Sequence, residues 1–539
     1  MSFQPPGMNA PRVTRLLTLI AVLPILATVY QTLVLTDLAD GNIRRGIESD
    51  PGDSTWLTAA WSLATLYGVF GGLGLSKKFG PRNTLILGLL WFVGGNVLCG
   101  YANGFAGMMF ARFVEGLGKG ICIILLRSFL LSRFDSMLFA AVLCYGLFAY
   151  TTRGTSPLAA AWINEVAGWR WIYWANVPVG LAGAGLILLV VPPDQATPGE
   201  EKAATPQPGS KPDTLVIHLL VTWLMSLLFI LGWRSSEGGN TSNLFVALVA
   251  VSCLVFAALA FRLFQSLRRG DSLGRLLRSR TYLCAMGGRM LLLLHLAAVL
   301  GVLSKYLVEL RSVPAVTAGL VFVPVTASMA AGFLASISFR DRDTRHLGLL
   351  MGVIGSSLAV YWLATIDLTT TLADLSLRLA VWAFFVGSLP ASFLVDEVEC
   401  LDKSDMPVAA AFAIVVLATP LILVPAWMGT AVSDGKETAY DHLRASIRAD
   451  RPVVTGTLAR SMAHFTTRGM DEIQAPALSG GLMAVIVNLQ AASMGIQAGL
   501  RLLAQATALL GLALSIPLLF DPGTQKVRIR DFPGFPSRP

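Results

Sequence analysis

Long apolar runs separated by short polar or charged breaks recur through the whole chain. A bilayer core of about 30 Å is crossed by about 20 apolar residues in a helix, so each such run predicts one membrane span. The first six cover residues 16–35, 56–75, 84–101, 105–126, 138–162 and 171–191. The stretch 192–213 (PPDQATPGEEKAATPQPGSKPD) then mixes Pro, Glu, Lys and Gly. Lipid cannot accommodate it, and it reads as a flexible linker. Two further runs follow at 215–231 and 244–264, and after the basic stretch RRGDSLGRLLRSR six more at 283–303, 316–337, 347–365, 375–395, 408–432 and about 494–519. The pattern therefore predicts fourteen helical spans grouped six, two and six.

Composition excludes the soluble alternatives. Of 539 residues 54% are hydrophobic and 14% charged, against about 25% charged in an ordinary soluble domain, and the mean hydropathy is +0.65. The net charge of +9 does not point to nucleic acid, because the basic residues lie in short runs between apolar segments. One set of alternate loops holds Lys77, Lys78 and Arg82, then Arg133, then Arg268 to Arg280, then Arg340, Arg342 and Arg345. Positive charge is retained in the cytoplasm, so both termini, which are basic as well, are expected there. The six cysteines stand singly, without metal-ligand spacing, and no GxxxxGK[ST] phosphate loop occurs. Neither a metal nor a nucleotide cofactor is expected. One loop of the opposite set, 433–479, carries charges, His442 and His464, and an apolar period that predicts one or two amphipathic surface helices. Trp56, Trp162, Trp169 and Trp171, at span ends, read as interfacial anchors.

Four stretches resemble a known family. GWRWIYWANVPVG (168–180) is similar to the helix 5 to helix 6 signature of the fourteen-helix drug:proton antiporters of the major facilitator superfamily, the multidrug-resistance protein B type. Ser156-Pro157 stands where that family's antiporter motif has its Gly-Pro pair, although Ser156, Ala160 and Ala161 replace glycines. ARFVEGLGKG (111–120) matches the helix 4 motif and puts Arg112 in the place of the family's membrane-embedded arginine. The string from Arg278 through Thr317-Ala318-Gly319 to Pro324, and the loop from His442 to Gln490, resemble the corresponding parts of the second half. Two departures accompany the match. The superfamily's Asp-Arg-x-Gly-Arg loop is here Lys77-Lys78-Phe79-Gly80-Pro81-Arg82, with the acid replaced by lysine, and a partial copy, Asp341-Arg342-Asp343-Thr344-Arg345, stands in the equivalent loop of the other half. Tyr30 occupies the position of the family's helix 1 acid.

An ionisable side chain at mid-bilayer costs at least about 2.5–3.5 kcal/mol, so each one needs a partner or a wet cavity. Arg112, Glu115 and Lys119 are spaced to fall on one face of helix 4. Either Glu115 exchanges a proton under the influence of Arg112, or Glu115 and Lys119 form an internal ion pair that only satisfies its members. Arg153, deep in helix 5, either flanks the same pocket, which would suit an anionic group, or reaches to the surface. Asp37, seven residues beyond Tyr30, either replaces the missing acid or ends its span in water. His295, beside Arg289 in an apolar run, either relays protons or is a hydrogen-bonded core residue.

These readings give an all-α integral membrane protein of the major facilitator fold. Residues 1–192 form one six-helix bundle, 193–213 a cytoplasmic linker, 214–264 an inserted helix pair, and 265–539 a second six-helix bundle with the outer loop 433–479. The resemblance implies a multi-pass protein of the bacterial inner membrane. It would be a transporter and not an enzyme, exporting small lipophilic or amphiphilic molecules by proton antiport and alternating access. The expected partners are lipid, substrate, protons and, as a candidate, a periplasmic adaptor at 433–479. A proton-independent metabolite transporter and a membrane sensor of the same fold are the alternatives.

Overall fold

The structure is a computed structural model and describes residues 22–29, 37–50, 53–133, 146–147, 154–191, 214–234, 243–339, 344–390, 406–446, 452–468, 470–471 and 474–519. Among these every regular element is helical. In the first half they are α1 (22–29), α2 (Asp40–Gly46), α3 (Asp53–Phe79), α4 (Pro81–Tyr101), α5 (Phe105–Arg133), α6 (Ser156–Ala167), α7 (Arg170–Trp174) and α8 (Asn176–Val190). The middle pair is α9 (Thr214–Arg234) and α10 (Asn243–Arg269), joined by the short α11 (Ser272–Arg278) to the second half. That half comprises α12 (Arg280–Lys305), α13 (Ala315–Ile337), α14 (Arg345–Leu363), α15 (Leu372–Ser388), α16 (Met406–Ser446), α17 (Pro452–Thr467) and α18 (Gln474–Leu519).

Among the described residues eight helices are long and apolar enough to cross a bilayer by themselves. One expected span is missing from the eight because of its charges. Helix α5 is 29 residues long but carries Arg112, Glu115, Lys119, Arg127 and Arg133. The expected spans at 16–35, 138–162, 215–231, 375–395 and 408–432 each include positions outside the described residues or side chains and are not among the eight. Lipid-side exposure also fits a membrane protein: only 11% of the apolar window of α10 is buried, against 72% for Arg280–Leu310. Helix α12 is thus the centre of its half, and α10 lies at the edge.

Among the described residues the most extensive contacts between the two halves are two seams, α6 on α13 and α3 on α16. At the first, a Cβ on Gly319 would collide with the backbone of Leu158, so the glycine of Thr317-Ala318-Gly319 sets the closeness of the halves. Helix α9 touches both sides of the second seam, packing on α3 and α16. Its Phe229 ring lies 4.9 Å from Trp56, which is therefore engaged by a neighbouring helix in addition to standing at a span end. At the end of the bundle carrying residues 37–50, Arg44 joins Asp40 at 2.8 Å and, across the halves, Glu309 at 3.3 Å.

Within 433–479 one separate helix stands as expected, α17 (Pro452–Thr467), and both flanking helices extend into the segment. Helix α16 continues unbroken to Ser446, and α18 starts at Gln474, about twenty residues before the expected span. At 1.5 Å per residue the 41-residue α16 is about 62 Å long and the 46-residue α18 about 69 Å, twice the bilayer core. They therefore project beyond the membrane at the Arg44 end, with α17 packed against α18. The basic stretch 268–280 also differs from a loop: it contains α11, whose Asp271 caps it by accepting from the Gly274 N–H at 2.9 Å.

Candidate functional site

The centre of the first half is α5, and its glycines decide what surrounds it. Gly116 and Gly120, four residues apart, face α3: a Cβ on either would strike the carbonyl of Trp61 or Thr65. Gly118, on the other side, faces the backbone of Phe92 in α4. With no side chains in the way, α5 is held between two helices at backbone contact, and water is excluded from the face between them. That is where the charged stripe lies. Arg112, Glu115 and Lys119 are 4%, 0% and 5% exposed.

Glu115 pairs with Arg112, three residues back, through Nη1–Oε2 at 2.7 Å. The Cys99 thiol of α4 donates to the same Oε2 with Sγ 3.8 Å away. The other carboxylate oxygen, Oε1, is buried and accepts no hydrogen bond from the described residues. Both cations converge on the ring of Trp61 in α3: the Lys119 Nζ stands 3.6 Å from its centroid and the Arg112 Cζ 5.1 Å. Arg112 also lies 5.7 Å from the ring of Tyr173, at the end of α7. Cation–π contacts of this kind contribute up to about 2 kcal/mol when desolvated, so the rings provide the cations with partners that water otherwise supplies. Among the described residues the carboxylate's hydrogen bonds come from Arg112 and the thiol. Three residues from Cys99, Asn96 accepts from the Asn176 amide at 2.8 Å, a second buried polar contact that joins α4 to α8.

The other candidate residues fall elsewhere. Ser156 and Pro157 are buried in the first turn of α6, where a proline's missing N–H costs no helical bond. Lys77 is exposed near the end of α3. Gly80 has φ +79°, which glycine adopts readily, and makes the turn from α3 into α4. Arg82 donates to the Leu188 carbonyl at 2.7 Å and so ties α4 to the end of α8. His295 is fully buried in the other half. The Trp382 indole N–H donates to its Nδ1 at 3.3 Å, and its Nε2 lies 3.2 Å from the Thr507 hydroxyl, which itself donates to the Leu503 carbonyl. Indole N–H is only a donor, so Nδ1 accepts and Nε2 carries the ring proton. Asp37 begins a short 3₁₀ turn, Asp37–Ala39, packed on α6, α12 and α13; its side chain lies outside the described residues, as do Tyr30, Arg153, Asp341 and Arg342. Trp61, Tyr173 and Cys99 were not singled out by spacing. A signal for Trp61 exists, since it stands inside a span instead of at its end. Trp169 is likewise buried, edge-on to Tyr173 at 6.4 Å.

A bundle of two halves meeting at two seams, with a buried charged centre in one of them, can be compared with known proteins. A profile of the Major Facilitator Superfamily matches residues 16–425. The chain belongs to this superfamily. Among curated relatives, the superfamily member "Multidrug export protein EmrB" of Haemophilus influenzae is 24% identical over 380 residues, 67% of this chain and 71% of that protein. The lincomycin resistance protein of Streptomyces lincolnensis is 26% identical, over 64% of this chain and 68% of its own. An uncharacterized transporter of the same superfamily from Mycobacterium tuberculosis, Rv1250, is 30% identical over 138 residues, which is about a quarter of each chain. Among solved structures, a bacterial homologue of the human lysosomal transporter Spinster superposes with a TM-score of 0.53 at 13% identity, over 95% of this chain and all of that one. The major facilitator fold of the chain is thereby established, and with it a multi-pass membrane transporter that meets lipid and a small-molecule substrate.

Proposed function

We propose that this chain exports small lipophilic or amphiphilic molecules by alternating access, coupled to protons moving the opposite way. The observation that carries the reading is the buried Arg112–Glu115 pair of α5, with Lys119 and Trp61 beside it. Three ionisable side chains in one dry stripe cost far more than packing alone requires, and such residues in a transporter ordinarily serve ions or substrate. In the proposed cycle Glu115 takes up a proton from the outer side and its pair with Arg112 loosens. Arg112, still held by Trp61 and Tyr173, is then free to turn toward substrate. Release of the proton inward restores the pair. The two halves rock about the α6–α13 and α3–α16 seams around this centre. In this reading Arg153 is assigned as the pocket's second cation and Asp37 as the helix 1 acid. Tyr30 is assigned to its wall, and the loops around Lys77–Arg82 and Asp341–Arg342 to the cytoplasmic gate. Both termini face the cytoplasm of a bacterial inner membrane, and the projecting ends of α16 and α18 with α17 offer a periplasmic adaptor its docking site.

The test is transport by purified protein in liposomes, with a lipophilic fluorescent cation and a lipophilic fluorescent anion as probes. An imposed pH gradient should drive at least one of them uphill, and Glu115→Gln should lower that gradient-driven rate at least tenfold. A second reading, a proton-independent transporter, is favoured by the fact that Glu115 is already neutralised by Arg112. It predicts downhill movement that is the same with and without the gradient and in Glu115→Gln. Absence of any probe movement would count against both.

A further inference from the structure

The junction between the inserted helix pair and the second half carries a feature that transport does not use. Residues 262–280 contain six arginines, Arg262, Arg268, Arg269, Arg275, Arg278 and Arg280, and one acid. That acid, Asp271, is engaged within the protein: it caps α11 and accepts from the Ser266 hydroxyl. One acid against six arginines leaves the stretch with a local charge of about +5. We infer that this basic belt is a docking surface for the phosphate headgroups of anionic phospholipid in the leaflet at the Lys77 end of the bundle.

The geometry points to lipid in three ways. First, α11 lies flat against the protein: Leu273 and Leu276 are buried with Tyr282, Ala409 and Ala413, and Arg275 and Arg278 are turned out. The apolar side of α11 is taken up by the protein, so its cationic side faces outward between α10 and α12, within reach of anionic headgroups. Second, the belt continues into α10, the least covered span, whose Phe261 and Phe264 are 60% and 49% exposed. The Arg268 guanidinium stands 4.4 Å over the Phe264 ring. One turn of helix thus presents an aromatic surface to acyl chain and a fixed guanidinium to the phosphate above it. Third, two of the arginines shape the belt. Arg278 donates to the Leu267 carbonyl at 2.5 Å and Arg275 to the Gly270 carbonyl at 3.1 Å, which folds the turn so that Arg268, Arg269 and Arg280 are exposed together. Topology alone asks for positive charge on a loop. It does not ask for a flat helix, an exposed aromatic pair and a guanidinium seated on one of its rings.

The experiment uses the full-length protein purified in a neutral detergent, with phosphatidylglycerol, phosphatidylcholine and inorganic phosphate as separate additions, read by thermal unfolding and by lipid retained in native mass spectrometry. Phosphatidylglycerol is expected to bind and raise the unfolding temperature, phosphatidylcholine and phosphate are not, and 0.5 M salt should abolish most of the difference. At about fivefold per basic residue near a membrane surface, Arg268→Gln/Arg269→Gln/Arg280→Gln should weaken binding about a hundredfold. An equal charge loss far from the belt, Arg444→Gln/Arg460→Gln/Arg468→Gln, should leave it unchanged. Should the first triple variant not fold, the Arg→Lys triple and the salt series on the unaltered protein decide the matter, since both must keep an anion preference that salt weakens. Equal response to phosphatidylcholine, the same response to free phosphate, or retention of binding in the Arg→Gln triple would each overturn the inference.

Discussion

Removing Arg112 should destabilise the protein more than removing Arg112 and Glu115 together. The pair is buried on both sides, at 4% and 0% exposure, with 2.7 Å between the charged atoms. Deleting one member of such a pair costs about 3–5 kcal/mol, because the other charge is left without compensation, whereas replacing both by apolar groups of similar volume is often neutral. The surroundings make the two single losses unequal. Without Glu115, Arg112 still has the rings of Trp61 and Tyr173 at 5.1 and 5.7 Å. Without Arg112, the hydrogen bond left to Glu115 among the described residues is from the Cys99 thiol, a weak donor 3.8 Å away. We therefore expect Arg112→Met to cost about 3–5 kcal/mol, Glu115→Gln about 2 kcal/mol less because cation–π contact persists, and Arg112→Met/Glu115→Leu little. The assay is a double-mutant cycle on unfolding in mixed micelles, with folded fraction followed by tryptophan fluorescence. If the two single changes simply add in the double variant, the pair is not coupled and the site as described is wrong.

Three further outcomes follow from the same packing. Gly120→Leu should prevent α3 and α5 from closing, since even a Cβ there strikes the Thr65 carbonyl; loss of the monodisperse peak in size-exclusion chromatography would show it, while Gly104→Leu, with open space around its Cβ, should behave normally. His295→Asn should cost about 1–3 kcal/mol of stability through the unpaired Trp382 and Thr507 groups, yet leave the shape of the transport pH profile unchanged, because both ring nitrogens are already engaged. At the Arg44 end, hydrogen bonds from Thr369 and Thr370 hold the Asp367 carboxyl below its ordinary range. A lowered folded value means that its stabilising contribution is present above the unfolded value of about 3.9 and is lost as pH falls through the folded one. Asp367→Ala should therefore alter the pH dependence of unfolding only below about pH 4, and a difference appearing at pH 6–8 would contradict the assignment.

Much of the architecture was legible because the bilayer imposes one length on every apolar run. Helices α4, α12, α13 and α14 begin and end within about three residues of the runs that predicted them, and glycine at 80 marks the α3–α4 turn as its φ requires. What periodicity cannot convey is where a helix stops once it has left lipid. Nothing breaks α16 between the apolar run ending at 432 and Ser446, since Asp434, Lys436, Glu437 and Arg444 are tolerated in a solvated helix, so it continues. Residues 474–493, which carry no charge, likewise prolong α18 without a break. Hydropathy registers the change of solvent, not the end of the hydrogen-bonded ladder.

The site was legible in part, for a different reason. Spacing placed Arg112, Glu115 and Lys119 on one face, but a face has two neighbours, and the sequence of α5 does not name them. The glycines at 116, 118 and 120 do, once read as contact points: two open α5 to α3 and one to α4. A residue of α3 must then stand against the turn between Glu115 and Gly120, and Trp61, inside its span, is the side chain there that two cations share. This explains why Glu115 takes Arg112 as its partner. With the Lys119 ammonium 3.6 Å above the indole ring, the carboxylate's close ion pair is with the arginine on the preceding turn. Helix α5 thus separates its charges by neighbour, cations toward the aromatic ring of α3 and the carboxylate toward the thiol of α4. A bundle that moves α3 relative to α4 must change what each of them meets.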